Sequence, residues 1–145
     1  MKIVAKNRRA RFDYELKDTF EAGISLLGSE VKSIKCGDVD LSGSYIVFDD
    51  KGSLQWLNGT IKKYEYQTMG SHDETRTRQL LLHKREIKKI WNAVNLERLT
   101  VVPTILYINH HGIIKIEIAT ARGKKKYDKR EIIKKRDLER KEMKY

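Results

Sequence analysis

The groups in this 145-residue chain that could carry acid–base, nucleophilic or metal chemistry are four histidines, one cysteine and twenty carboxylates. Their spacing assembles no reaction centre. With Cys36 as the single cysteine, neither an intrachain disulfide nor a thiolate zinc cluster can be built, and the residue reads as a small, semi-buried side chain. His110 and His111 are adjacent in a predicted turn, where neighbouring side chains diverge. His83 opens a predicted helix beside basic residues, so it reads as a contact for an anionic partner or a packing group rather than a general base. The pairs Asp49-Asp50 and Asp73-Glu74 fall where turns are expected, and turn chemistry accounts for them. Neither a glycine-rich phosphate loop nor a nucleophile elbow is present. The expectation is a binding protein rather than an enzyme, with no cofactor and no metal.

The chemistry that the residues do offer is phosphate neutralisation. The net charge is +11. Residues 1–11 hold five basic groups and no acid, and residues 122–145 hold twelve basic groups against five acids. The rest of the chain is close to neutral, so the excess is gathered at the two ends, where it does little for folding and suits an anionic partner. A third basic cluster, Lys84, Arg85, Lys88 and Lys89, lies along one helix face. No apolar run reaches the roughly 18 residues that cross a bilayer, and Met1 to Lys6 lacks the apolar centre of a secretory leader. A cytoplasmic protein without a membrane partner is expected.

The elements that must position these cations follow from periodicity. Phe12 to Leu16 alternates, and Phe20 to Leu27 resumes an apolar pattern around Gly23, which predicts one long, bent strand. Ser29 to Gly37 predicts a short helix capped by Ser29 and closed at Gly37. Tyr45–Phe48 and Leu54–Leu57 form a hairpin across Asp49-Asp50-Lys51-Gly52. Residues 62–78 carry no period and read as a long loop. His83 to Asn95 places Ile87, Ile90, Trp91 and Val94 at helical spacing. Leu99–Asn109 and Ile113–Ala121 are strands joined at His110-His111-Gly112, with Pro103 at an edge or a bulge. Many short antiparallel strands with one inserted helix predict a mainly β fold with short helices: a small closed antiparallel barrel over residues 1–122, of which an OB-like barrel is one form. Residues 123–145 form a flexible basic tail, able to become helical on a partner. A small barrel with basic surfaces points to single-stranded or structured nucleic acid, and composition goes no further.

Four blocks narrow this. Asn7-Arg8-Arg9-Ala10-Arg11-Phe12-Asp13-Tyr14, Glu21-Ala22-Gly23-Ile24 with Gly28-Ser29-Glu30-Val31-Lys32-Ser33, Leu80 to Ile87, and Ala121 to Arg130 stand in one order along nearly the whole chain. In this the sequence resembles the SmpB family, the SsrA-binding proteins. The resemblance implies an OB-like barrel that binds the transfer-RNA-like part of transfer-messenger RNA. It implies partnership in trans-translation with a stalled ribosome, at its decoding centre and message channel, and with elongation factor Tu in the delivery complex. A monomer is expected. Mapped through the matching blocks, the RNA-facing candidates are Asn7, Arg8, Arg11, Glu30, Lys32, His83, Lys84 and Arg85. The tail candidates for the ribosome are Lys124, Lys125, Tyr127, Asp128, Lys129 and Arg130. Phe12, where the family commonly has histidine, and Asp38 and Asp40, where it favours lysine and asparagine, depart from the pattern. So do Glu74 and Thr77, which replace prolines and predict a looser loop. A general ribosome- or messenger-RNA-associated module on the same barrel is the other reading.

Overall fold

The computed structural model describes residues 1–64 and 72–123. Its elements are β1 (Lys2–Lys6), α1 (Arg8–Asp13), β2 (Tyr14–Ile24), α2 (Gly28–Lys35), β3 (Val39–Asp40), β4 (Tyr45–Phe48), β5 (Leu54–Leu57), β6 (Thr60–Ile61), β7 (Arg78–Leu81), α3 (Lys84–Asn95), β8 (Thr100–Ile108) and β9 (Ile114–Gly123). The tail candidates Lys124 to Arg130 lie outside the described residues. Among the described residues no helix is long and apolar enough to cross a membrane.

Two local hairpins start the sheet. Asp49 accepts from the Lys51 and Ser53 amides through one carboxylate oxygen, and Gly52 takes a positive φ of 82° to close the β4–β5 turn. In the β8–β9 turn the Asn109 side-chain oxygen accepts from the His111 and Ile113 amides, at 2.9 Å each. Longer-range pairing then joins the hairpins. β8 pairs with β4, β4 with β5, β5 with β7, β7 with β2, β2 with β9, and β9 returns to β8. All these pairings are antiparallel, and they close a ring of strands, with β1 added along β8 and a separate β3–β6 pair.

The ring encloses the core. Ile34 of α2 and Ile90 of α3 are fully buried with Ile46, Leu54, Trp56, Leu106, Ile116 and Ile118 from the strands. Each helix therefore seats one fully buried aliphatic side chain in the core, worth about 1.5–3 kcal/mol of burial, with Val31 of α2 and Val94 of α3 packed against the same cluster.

Several expectations need correction, among them Cys36, which is exposed rather than semi-buried. Residues 8–13 are helical, so the predicted strand begins at Tyr14 rather than Phe12. The Asn7 side chain accepts from the Ala10 amide at 3.2 Å, and Arg9 pairs with Asp13 one turn on. A capped turn of this kind outweighs the alternation of Phe12, Tyr14 and Leu16. The basic N-terminus, expected to do little for folding, contributes a strand to the sheet, because residues 2–6 pair with β8. Arg78, placed at the end of a loop, begins β7. Ser29 does not cap α2: its hydroxyl bonds His72, and the Leu27 amide is capped by Glu30 instead.

Pro103 does sit at a bulge, where the β8–β9 register shifts between Pro103 and Ile105. The carbonyls freed there are taken by Asn7. Its amide N–H donates to Thr104 at 2.7 Å, and its side-chain Nδ2 donates to Pro103 at 2.8 Å.

Candidate nucleic-acid interface

The eight candidates on the body divide by burial. Arg8, Arg11, Lys32, His83, Lys84 and Arg85 are exposed, whereas Asn7 and Glu30 are buried. Both side chains point inward in the isolated chain. Asn7 uses both ends of its side chain on protein, as the α1 cap and as donor to the bulge carbonyls.

Glu30 is 0% exposed and belongs to a buried ionic network. Its Oε2 accepts from Arg78 Nε at 2.5 Å and its Oε1 from Arg76 Nη2 at 2.6 Å. The Leu27 amide donates to Oε1 at 2.9 Å. Burial alone would raise the carboxyl's pKa, but the hydrogen bonds from Arg76, Leu27 and Arg78, with the Arg78 charge, hold it below the ordinary carboxylate value. Arg78 is itself fully buried and spends its other donors on the carbonyls of Gly59 and Glu74. Its guanidinium also lies 5.1 Å over the Trp56 ring. Burial lowers the Arg78 pKa, and the hydrogen bond and charge of Glu30 oppose that shift.

The same network anchors the end of the loop. His72 is buried, with Nε2 2.7 Å from the Ile61 carbonyl and Nδ1 2.8 Å from Ser29 Oγ. A carbonyl can only accept, so Nε2 donates to Ile61, and Nδ1 shares the second hydrogen bond with the serine hydroxyl. Glu74 accepts from the Ile61 and Lys63 amides. Residues 72–78 are thus pinned by polar contacts, contrary to the looser loop expected from Glu74 and Thr77.

The exposed cations lie on three helices. Arg8 and Arg11 share a shallow concavity with Lys6, over the β8 bulge. Lys32 of α2 stands over the Tyr64 ring, 5.6 Å from its centroid. Lys84 and Arg85 open α3, whose first-turn N–H groups add the positive end of the helix dipole. Glu86 turns back to accept from the His83 amide and fixes that start. These cations offer charge to phosphates, while the Ser29–His72 hydrogen bond lies buried. Asp38 and Asp40 are exposed beside β6, and Asp40 accepts from the Ser42 amide, so this edge is acidic.

Sequence reasoning missed the partners of Glu30. Arg76 and Arg78 are separated from it by 46 and 48 positions, and no periodicity links such residues. The one available signal was Glu30 itself, an acid among candidates meant for phosphate.

Comparison with known proteins adds a chain-wide likeness. A family model described as "SmpB protein" matches residues 4–145. The SsrA-binding protein of Neorickettsia sennetsu is 46% identical over 143 residues, covering 98% of this chain and 96% of the relative. That of Parabacteroides distasonis is 49% identical over 141 residues, covering 97% and 91%. A chain from the solved structure "tmRNA-SmpB: a journey to the center of the bacterial ribosome" is 45% identical. It superposes with a TM-score of 0.69, over 84% of this chain and 85% of that one.

Proposed function

The chain belongs to the SmpB family, and from that premise we propose that it binds transfer-messenger RNA and acts with it in trans-translation on stalled ribosomes. The carrying observation is the match to SsrA-binding proteins along the whole chain. The geometry supports it: the strand ring reads as an OB-like barrel, the Glu30–Arg78 ion pair is buried within it, and Arg8, Arg11, Lys32, His83, Lys84 and Arg85 face out. These six form the RNA-facing set. Asn7 and Glu30 serve it by holding α1 and α2 in place. No step of this function needs bond chemistry in the protein, since selective delivery requires only recognition.

The division of labour follows from charge. Residues 124–145 hold eleven basic groups against five acids. Such a segment, with Lys124, Lys125, Tyr127, Asp128, Lys129 and Arg130 leading, suits a message channel walled by RNA phosphates. A channel holding message excludes it by volume, so its entry reports an empty one. Elongation factor Tu completes the delivery complex, and the protein acts as a cytoplasmic monomer. The test is affinity for transfer-messenger RNA against an unrelated structured RNA of similar length at one salt concentration. A clear preference supports the reading, and equal binding refutes it.

A further inference from the structure

A groove of about 720 Å³ opens between α1, β4, α3 and the start of β8. Its volume falls in the range that takes whole heterocyclic ligands. Its walls are aromatic: Tyr14, Tyr45, Phe48 and Trp91 all line it. Tyr45 is 37% exposed and Trp91 49% exposed, so each offers ring surface to solvent.

The surroundings say what would stack there. On α3, Lys84, Lys88, Trp91 and Asn95 follow at intervals of four, three and four, which sets them in one stripe along the helix. All four are exposed, while Ile90 and Ala93 face the core. A cationic track thus leads along α3 onto an aromatic platform. Arg9 lines the far wall on α1 beside Asp13, which pairs with its Nε at 3.5 Å and leaves the outer guanidinium nitrogens for a ligand in the groove. Asn95 donates through Nδ2 to the Trp91 carbonyl at 2.9 Å, which orients the amide and keeps Oδ1 as an acceptor at the groove. Cations spaced along a helix, aromatic rings beside them and an amide at the edge are what an unstacked nucleotide requires: phosphate neutralisation, a π-face and a hydrogen bond. An apolar peptide would use the rings but leave the lysine track without a partner.

We propose that this groove is a base-stacking site that takes an unpaired nucleotide of the bound RNA, with Trp91 and Tyr45 as the stacking rings and Lys88 and Arg9 on its phosphates. The proposal rests on the RNA-binding reading above and adds a site to it.

Trp91 also makes the test direct. The chain has two tryptophans, and the other, Trp56, is 0% exposed. Emission from the full-length protein is titrated with transfer-messenger RNA, with a mixed-sequence single-stranded RNA, and with an abasic strand of equal length. Stacking predicts quenching by the first two and not by the abasic strand. Trp91→Ala should weaken binding about 5- to 150-fold, the equivalent of one stacked base at about 1–3 kcal/mol. Trp91→Phe and Tyr45→Phe should retain most of the affinity. Circular dichroism melting checks that each variant is folded, and should Trp91→Ala fail to fold, Lys88→Ala with Asn95→Ala replaces it. Equal quenching by the abasic strand overturns the proposal. So does unchanged affinity in the folded variants, or a Trp91 signal indifferent to RNA because a protein segment fills the groove. Failure of the wild-type protein to bind transfer-messenger RNA at all would instead refute the functional reading.

Discussion

Replacing Glu30 by alanine should unfold the protein far more readily, although its neighbours in sequence point toward RNA. In the folded chain the carboxylate neutralises Arg78, which is 0% exposed and whose remaining donors reach only carbonyl oxygens. Without Glu30 a buried guanidinium loses its counter-charge, a defect that costs about 3–5 kcal/mol. For a body of this size that lowers the melting temperature by roughly 10–20 °C. The Leu27 amide loses its cap as well. Glu30→Gln keeps the volume and one acceptor, so it should fall between wild type and Glu30→Ala. The double variant Glu30→Met with Arg78→Met removes both charges and should melt above Glu30→Ala, because a buried pair replaced by apolar side chains is often neutral. Thermal and urea unfolding followed by circular dichroism measure all three. The pH dependence has a definite sign. The Glu30 pKa is lowered in the folded state, so its contribution is complete above the ordinary value of 4.5 and is lost as pH falls through the folded value. The acid slope should therefore shrink in Glu30→Gln. A Glu30→Ala protein that melts within about 2 °C of wild type, less than 1 kcal/mol, yet binds RNA poorly would refute the buried-network argument and restore Glu30 as an RNA ligand.

Three further outcomes are expected. A Cβ at Gly59 would lie 2.0 Å from the Trp56 ring, so Gly59→Ala should lower the urea midpoint by an overpacking cost of at least about 1–3 kcal/mol. Tyr107 donates to the Glu21 carboxylate, and burial, that bond and the charges of Glu21 and Glu117 raise its pKa above 10.0. Tyr107→Phe should cost about 1 kcal/mol at neutral pH, and its contribution, present below pH 10 and lost as pH rises through the folded value, should vanish from the alkaline limb of the stability curve. Replacing Lys84 and Arg85 by alanine should leave melting unchanged and reduce the salt slope of RNA binding by about 0.7–0.9 for each phosphate no longer neutralised.

What could be read in advance was what is local. The β4–β5 and β8–β9 hairpins are set by Asp49 with Gly52 and by Asn109 with Gly112, and both appear where their turn residues stand. α3 follows its own apolar spacing. The failures share a cause, which is dependence on distant groups. β1 is a short cationic run that becomes a strand only because β8 lies beside it. α1 is short, and its cap Asn7 is held by the Pro103 carbonyl, 96 positions away. Glu30 looked like a surface acid because Arg78 follows 48 residues later. The candidate site split along the same line: its exposed cations are legible as charge, while the polar residues supporting them depend on contacts that the sequence order conceals.

The most direct test reconstitutes tagging on ribosomes stalled at the end of a message without a stop codon, with alanyl transfer-messenger RNA and elongation factor Tu. The full chain should yield tagged product. A chain ending at Gly123 should still bind transfer-messenger RNA, because the exposed cations of α1, α2 and α3 remain, yet yield none. Tagging by the shortened chain, or none with the full one, would contradict the division between a gripping body and a probing tail.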